Sequence, residues 1–335
     1  MRVAINGFGR IGKLVFRAFL EKNLKGAEIV AINELGSLDS SLHLMQFDSI
    51  HGKLPFEIKK NKDGLKFKNK TIKFFSERNP INLPWKKLKV DIVLECSGVF
   101  SSKEKSNAHI SAGAKKVIIS APASNVDATI VQGVNNQILT KKHNIISNGS
   151  CTTNCVVLAV KVLHDAFTIN HGFMTTVHAY TGDQNLVDNS HKDLRRARAA
   201  ALNIVPTSSG ASKAVGQVIP DLAGKFDGTA LRVPTPTVSL VDLTTSLKDT
   251  PTIKDINEVF EKAAESSLAP YLAYEKDELV STDFKGNLAS CIFDAPSTMV
   301  VDDHLVKTLE WYDNEWGYSC RLTDVISLIS ERGLE

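Results

Sequence analysis

GFGRIG at residues 7–12 constrains this chain more than any other stretch in it. It follows a short β-favouring run at 3–5, and Leu14, Val15, Ala18 and Phe19 then recur at helical spacing. A second β-favouring run, IVAI at 29–32, comes next, with Glu34 just past its end. Strand, glycine loop, helix and strand within about 30 residues make a βαβ unit. The spacing G-x-G-x-x-G gives each glycine a task. Gly7 makes the tight turn, Gly9 lets a pyrophosphate approach the backbone, and Gly12 lets helix and strand pack closely. Phosphates then sit at a helix N-terminus, against open N–H groups and the positive end of the dipole. Glu34, 22 residues after Gly12, stands where a carboxylate accepts hydrogen bonds from an adenosine ribose. The same charge repels a 2′-phosphate, so these residues favour NAD over NADP.

The alternation continues. Residues 90–94, 117–120 and 145–147 read as strands, and residues 105–112 between them read as a helix. Residues 53–75 are dense in Lys, with Asp63 and Gly64 between alternating apolar positions. That reads as a hairpin with a solvated Lys face rather than a nucleic-acid patch. After Cys151 the texture changes. A long apolar helix at 155–167 precedes β-rich runs at 173–178, 230–247 and 290–293, and an apolar helical segment at 324–329 follows. The expected fold is α/β: a Rossmann-type doubly wound parallel sheet domain plus an α+β catalytic domain with a mixed or antiparallel sheet. The first domain spans 1–150 and is completed by a C-terminal helix at 315–335; the second spans 151–314.

Length and composition agree. At 335 residues, the chain has room for about two domains. Hydrophobic residues at 43% and charged residues at 23% fit a globular chain and exclude end-to-end disorder. Forty basic against 37 acidic residues leave +3, too near balance to argue for nucleic acid or an anionic membrane as the main partner. No apolar run approaches the ~18 residues of a transmembrane helix, and the N-terminus has no signal-peptide pattern. Five cysteines, an odd and sparse set, point to a reducing, cytoplasmic setting in which a special cysteine is reactive rather than bridged. No tail follows Glu335, so control through a tail cysteine pair is not expected.

The sequence SNGSCTTNC at 147–155 places Cys151 just before the long apolar helix. A thiol at a helix N-terminus has its thiolate stabilised and its pKa lowered, which suits a nucleophile. Ser150, Thr152 and Thr153 add hydroxyls suited to capping or to an anion. Cys155, one turn further on, reads as a small buried hydrophobe. His178 ends a strand-like run, where an imidazole facing the thiol would lower its pKa further and act as general base. No His/Cys cluster has metal-ligand spacing, so no metal is expected. Arg195, Arg196 and Arg198 form a basic cluster, and Arg232 sits in a mostly apolar run where its charge needs an anionic partner.

Together AINGFGRIG, SNGSCTTNC, TTVHAYTGDQ, HKDLRRARAAALNIVPTSSGASKAVG, LRVPTPTVSLVDL and WYDNEWGYS resemble, in order and spacing, the phosphorylating glyceraldehyde-3-phosphate dehydrogenases. The resemblance runs from residue 1 to about 330. It implies oxidation of D-glyceraldehyde 3-phosphate with NAD and inorganic phosphate to 1,3-bisphosphoglycerate, the reaction of glycolysis and gluconeogenesis. By the family pattern Cys151 attacks the aldehyde to give a thiohemiacetal and then a thioester, and His178 is the base. Arg10, Ile11, Glu34, Arg78, Ser120 and Asn314 match the family's NAD contacts. Thr181 and Arg232 match the site for the substrate's phosphate. Ser150, Thr152, Arg196, Ser209 and Gly210 match the site for the attacking phosphate. The resemblance also implies a homotetramer, with the loop at 181–203 at a subunit interface.

Some positions depart from the pattern. Glu34 stands where Asp is commoner, and Ser190 stands where NAD-specific members carry Pro; serine there resembles the NADP-accepting type. Charge repulsion outweighs one added hydroxyl, so NAD is the expected cofactor with minor NADP use. Asn33, Glu34 and Leu35 also resemble erythrose-4-phosphate dehydrogenase, the alternative reading; the run from Tyr180 to Asp183 resembles the glyceraldehyde type.

Overall fold

In the computed structural model, which describes residues 1–333, the chain divides into two compact units. One comprises residues 1–130, 137–149 and 319–333; the other comprises 131–136 and 150–318. Residues 131–136 thus group with the second unit rather than with the 1–150 span.

The first unit is built on a nine-stranded sheet. Its parallel part runs in the order Ala128–Thr129, Ile145–Ser147, Lys116–Ile119, Ile92–Glu95, Arg2–Asn6, Glu28–Asn33 and Lys70–Phe75. Val3, Ala4 and Ile5, like Ile92, Val93 and Leu94, are fully buried, as strands covered on both faces must be. The Lys-rich segment forms the hairpin Ile58–Asn61 and Gly64–Phe67, which extends this sheet antiparallel beyond Lys70–Phe75. From Arg2–Asn6 the chain winds one way to Glu28–Asn33 and later the other way to Ile92–Glu95. The crevice beyond Asn6 and Glu95 is therefore the topological switch point, where doubly wound sheets hold ligands.

The glycine-loop helix starts at Arg10, earlier than the apolar spacing indicates, so Gly12 lies in its first turn. A Cβ on Gly12 would come 2.2 Å from the Gly7 carbonyl oxygen, which is why helix and loop can close up. The C-terminal helix Trp316–Glu331 outruns the apolar run at 324–329. Cys320, Leu322, Val325, Ile326 and Ile329 are fully buried, and Lys22 Nζ donates to Asp324 at 2.6 Å. The end of the expected 315–335 helix lies outside the described residues.

The second unit holds an eight-stranded mixed sheet. Val205–Ser208, Phe226–Val233, Ile169–Ala179, Ser239–Leu247, Leu305–Tyr312, Cys291–Asp294 and Leu272–Glu275 lie side by side, and Met299–Val301 pairs with Leu305–Tyr312. Only two of its pairings are parallel: Ile169–Ala179 with Phe226–Val233, and Leu272–Glu275 with Cys291–Asp294. The β-rich run at 230–247 is broken between two strands, with Val238 at φ +67. The helix Cys151–Phe167 lies on this sheet, burying Cys155, Val156, Leu158, Ala159 and Leu163. Helices Ala211–Val218 and Ile253–Ala264 escaped the sequence reading. The second carried a readable start signal, a capping box between Thr252 and Asp255 with Ile256 and Phe260 buried one turn apart.

Candidate active site

Two sets of functional side chains emerge, one in each unit. In the first, the loops beyond the switch point enclose a cleft of about 290 Å³ lined by Asn6, Gly7, Gly9, Glu34, Arg78 and Ser97, among others. Gly7 has φ +86, and a Cβ on it would come 2.5 Å from the Ser97 nitrogen. Above Gly9 nothing lies within 4 Å of where a Cβ would stand. A crowded turn beside an open backbone surface is the shape a pyrophosphate needs.

Glu34 is held by backbone: Phe8 N–H donates to its Oε2 at 2.6 Å and Gly36 N–H to its Oε1 at 3.0 Å. Its charge is fixed at the cleft wall. Arg78 is exposed and lines the cleft, whereas Arg10 is paired with Asp48 at 2.7 Å. Ile11 lies in the first turn of the glycine-loop helix, and Ser120 follows strand Lys116–Ile119, its N–H donating to the Glu95 carbonyl at 2.9 Å. Asn314 belongs to the second unit, where its Oδ1 accepts from Ser239 Oγ at 2.9 Å.

In the second unit Cys151 is the first residue of its helix, capped by Ser150, whose Oγ accepts from Thr153 N–H at 2.9 Å. Strand Ile169–Ala179 brings His178 to it: Cys151 Sγ lies 3.5 Å from His178 Nε2. The Nδ1 atom lies 2.7 Å from the Ala179 carbonyl oxygen and 2.8 Å from Arg232 Nη1. Nδ1 thus faces an acceptor and a donor at once; in the tautomer that donates from Nδ1 to Ala179, the Nε2 lone pair turns towards sulfur.

The electrostatics correct one expectation. Sequence alone predicts a lowered thiol pKa and a thiolate paired with an imidazolium. Instead burial pushes the Cys151 thiol above its ordinary value, against the pull of Arg232 and Thr152. Burial, reinforced by the Arg232 cation, pushes His178 down to about 3. The resting pair is a neutral thiol beside a neutral imidazole, because desolvation outweighs the helix terminus.

Sequence reasoning missed what supports the pair. Tyr312 OH bonds Thr152 Oγ1 at 2.9 Å and Thr176 Oγ1 at 2.8 Å, and its ring meets His178 edge-on at 6.1 Å. Tyr312 lay within WYDNEWGYS, but nothing in that motif says where its hydroxyl points. Thr152 Oγ1 is thus steadied by Tyr312, and Ser150 Oγ accepts the cap bond from Thr153 N–H.

Arginine side chains gather at this end of the second unit. Arg232 Nη1 also donates to the Ala179 carbonyl at 3.1 Å and to Thr181 Oγ1 at 3.3 Å. Arg196 is bonded to Asp183, and its Nε donates to Thr207 Oγ1 at 3.0 Å. Thr181 donates to the other Asp183 oxygen. Against burial, which would raise it, the Thr181 hydroxyl, Arg232 and Arg196 hold the Asp183 carboxyl below its usual range. Asp183 is thus the resident anion between two arginines. Ser209 Oγ accepts from Ala211 N–H at 3.3 Å, and Gly210 opens the helix Ala211–Val218 with space around its Cα. Among the described residues no group of three or more His, Cys, Asp or Glu is placed to hold a metal ion, and no helix is long and apolar enough to cross a membrane.

Residues 1–103 match the family described as "Glyceraldehyde 3-phosphate dehydrogenase, NAD binding domain", and residues 150–314 match its "C-terminal domain". Over 333 residues the chain is 52% identical to "Glyceraldehyde-3-phosphate dehydrogenase 2" of Streptomyces avermitilis, with 99% of each chain covered. It is 50% identical to "Glyceraldehyde-3-phosphate dehydrogenase" of Xanthobacter flavus over 333 residues, again 99% of each. The protein of that name from Geobacillus stearothermophilus is 50% identical over 335 residues, 100% of this chain and 99% of its own.

Proposed function

The chain belongs to the glyceraldehyde 3-phosphate dehydrogenase family, and from that premise we propose that it oxidises D-glyceraldehyde 3-phosphate with NAD and inorganic phosphate to 1,3-bisphosphoglycerate. It is an NAD-dependent oxidoreductase with an NAD-binding domain and a catalytic domain. The observation that carries the reaction is Cys151 Sγ standing 3.5 Å from His178 Nε2 at the head of a helix.

The cleft of the first unit fits the dinucleotide: Gly7 and Gly9 shape it, Arg10, Ile11, Gly12, Arg78 and Ser120 of the same unit complete the set, and Glu34 receives the ribose. When bound, the nicotinamide supplies the hydride acceptor. In the second unit His178 Nε2 takes the thiol proton as Cys151 sulfur bonds the aldehyde carbon, and the proton passes to the new oxyanion, giving a thiohemiacetal. The hydroxyl proton returns to Nε2 as the carbon is oxidised to a thioester on Cys151. An oxygen of inorganic phosphate then attacks that carbon, the carbon–sulfur bond breaks, and the acyl phosphate leaves.

Thr181 and Arg232 hold the substrate's own phosphate; Ser150, Thr152, Arg196, Ser209 and Gly210 serve the attacking one. Phosphate on Arg232 offsets the cation that depresses His178, so the imidazole becomes a stronger base once substrate is seated.

The protein acts in the cytoplasm as a homotetramer. In support, Leu186, Val187, Leu194, Leu202 and Ile204 stand exposed on the loop at 181–204, an apolar group of the kind subunits cover. Minor NADP use follows from Ser190, which is exposed on that loop. The erythrose-4-phosphate alternative gains nothing from the named relatives.

The test is the initial rate of reduced-cofactor formation from glyceraldehyde 3-phosphate, with and without inorganic phosphate, in parallel with NAD and NADP. A fast, phosphate-dependent rate with NAD is expected. No rate with either cofactor, against a clear rate on erythrose 4-phosphate, overturns the substrate.

A further inference from the structure

Beneath the cleft of the first unit runs a buried chain of side-chain hydrogen bonds. It begins at Trp85, fully buried, whose Nε1–H donates to His109 Nδ1 at 3.1 Å. Indole nitrogen only donates, so Nδ1 must accept, and the ring carries its proton on Nε2. That proton is donated to Glu95 Oε2 at 2.9 Å. Asn6 Nδ2 donates to the same oxygen at 2.6 Å. On the other oxygen, Ser97 N–H donates at 2.8 Å and the Ser97 hydroxyl donates as well.

Four donors fill the roughly four lone-pair sites of a carboxyl group that is only 1% exposed. The chain continues beyond Glu95. Asn33 Nδ2 donates to Asn6 Oδ1 at 2.7 Å and to the Glu77 carbonyl at 2.8 Å, and Asn33 Oδ1 accepts from Glu77 N–H at 2.9 Å.

These bonds link the loops after four strand ends. Asn6 leads into Gly7, Glu95 holds Ser97, and Asn33 holds Glu77 beside Arg78. Asn6, Gly7, Asn33, Glu77, Arg78 and Ser97 all line the cleft; Trp85 and His109 do not. We propose that Trp85 and His109 are positioning residues for the cofactor: through the one tautomer Trp85 allows, His109 anchors Glu95, and Glu95 fixes the loops that receive the dinucleotide. The inference rests on the reading of this cleft as the NAD site.

The test uses His109→Leu and His109→Gln, with NAD affinity read by titration calorimetry on the full-length protein. Leucine fills space but neither donates nor accepts, so Glu95 loses a donor and the dissociation constant for NAD is expected to rise about tenfold. The KM for NAD rises with it, and the KM for the aldehyde phosphate does not. Glutamine can accept from Trp85 at its oxygen and donate to Glu95 from its nitrogen, so it restores affinity to within about twofold or threefold. A merely structural histidine would not be rescued this way.

Unchanged affinity in His109→Leu, or equal loss in His109→Gln, overturns the proposal. If His109→Leu does not fold, Trp85→Phe, which removes only the indole donor, is read the same way. Failure of wild type to bind NAD would instead show that the cofactor reading is wrong, and the inference falls with it.

Discussion

Glu95 and Glu310 are both shut away from solvent, one at the end of a parallel strand in the first unit, the other inside the mixed sheet of the second. Glu95 has four donors around it. Glu310 lies beside Thr308, yet neither of its oxygens has a hydrogen-bond partner of normal geometry. Burial, with Asp242 and Asp294 adding to it, pushes the Glu310 carboxyl up to about 8. The pattern repeats at the sites. The cleft is assembled from groups already satisfied, down to Glu34 on its two amides. The Cys151–His178 pair, by contrast, is kept neutral by burial. Satisfied polar groups fix geometry; unsatisfied ones leave a response still to be made.

That contrast can be tested hardest at Cys151. Cys151→Ser should lower aldehyde oxidation by roughly a thousandfold or more while NAD still binds. Substantial turnover in that variant removes Cys151 as the nucleophile.

Glu310 comes next. Its folded pKa lies above the unfolded value, so the folded state holds a proton that the unfolded chain releases between about pH 4.5 and 8. The stability it contributes is present below pH 4.5 and is lost as pH rises towards 8, on the order of a few kcal/mol. Glu310→Gln should therefore match wild type in melting temperature near pH 5 and exceed it at pH 8. Parallel profiles would show that Glu310 is as well served as Glu95.

The resting thiol gives a third test. In the cofactor-free enzyme, alkylation of Cys151 should climb about tenfold per pH unit through pH 9. No plateau should appear near pH 6, because His178 stays neutral there. An acid plateau would reveal a standing ion pair.

Glu34→Ala should lower the NAD-to-NADP preference about tenfold, measured as the ratio of kcat/KM values; an unmoved ratio ends the ribose assignment. The smallest effect is expected from Ser190→Pro, a loss of about twofold in NADP use. No change would leave Glu34 alone in control of selectivity.

The glycine loop and the alternating first unit were legible because each rests on local spacing; His178 was picked out by its place at the end of a strand-like run and by the family resemblance, since periodicity does not choose among nine histidines. The periodicity around Leu14 and the run before His178 are signals within one element. What stayed hidden depends on packing. The thiol's upward shift comes from burial, which no local spacing encodes, against the pull of Arg232, distant in sequence. Tyr312, Asp183 and Thr207 reach the site through strand pairing and loop folding that no spacing encodes. The β-rich run at 230–247 carried its break in plain sight, since Pro234 and Pro236 cannot donate to a sheet ladder, but its apolar and β-branched flanks made it look continuous. Glu310 sits in a strand whose alternation puts it inside, where sequence gives no reason to expect a carboxyl.

The first unit closes on its last residues. Its sheet is laid down by residue 147, but residues 319–333, with Val325, Ile326 and Ile329 fully buried, arrive only after the whole second unit. During synthesis at ~5–20 residues per second, the apolar surface they cover waits roughly 10–30 s. A ribosome that stalls late therefore strands the nucleotide-binding half with its core open, however well the rest has folded.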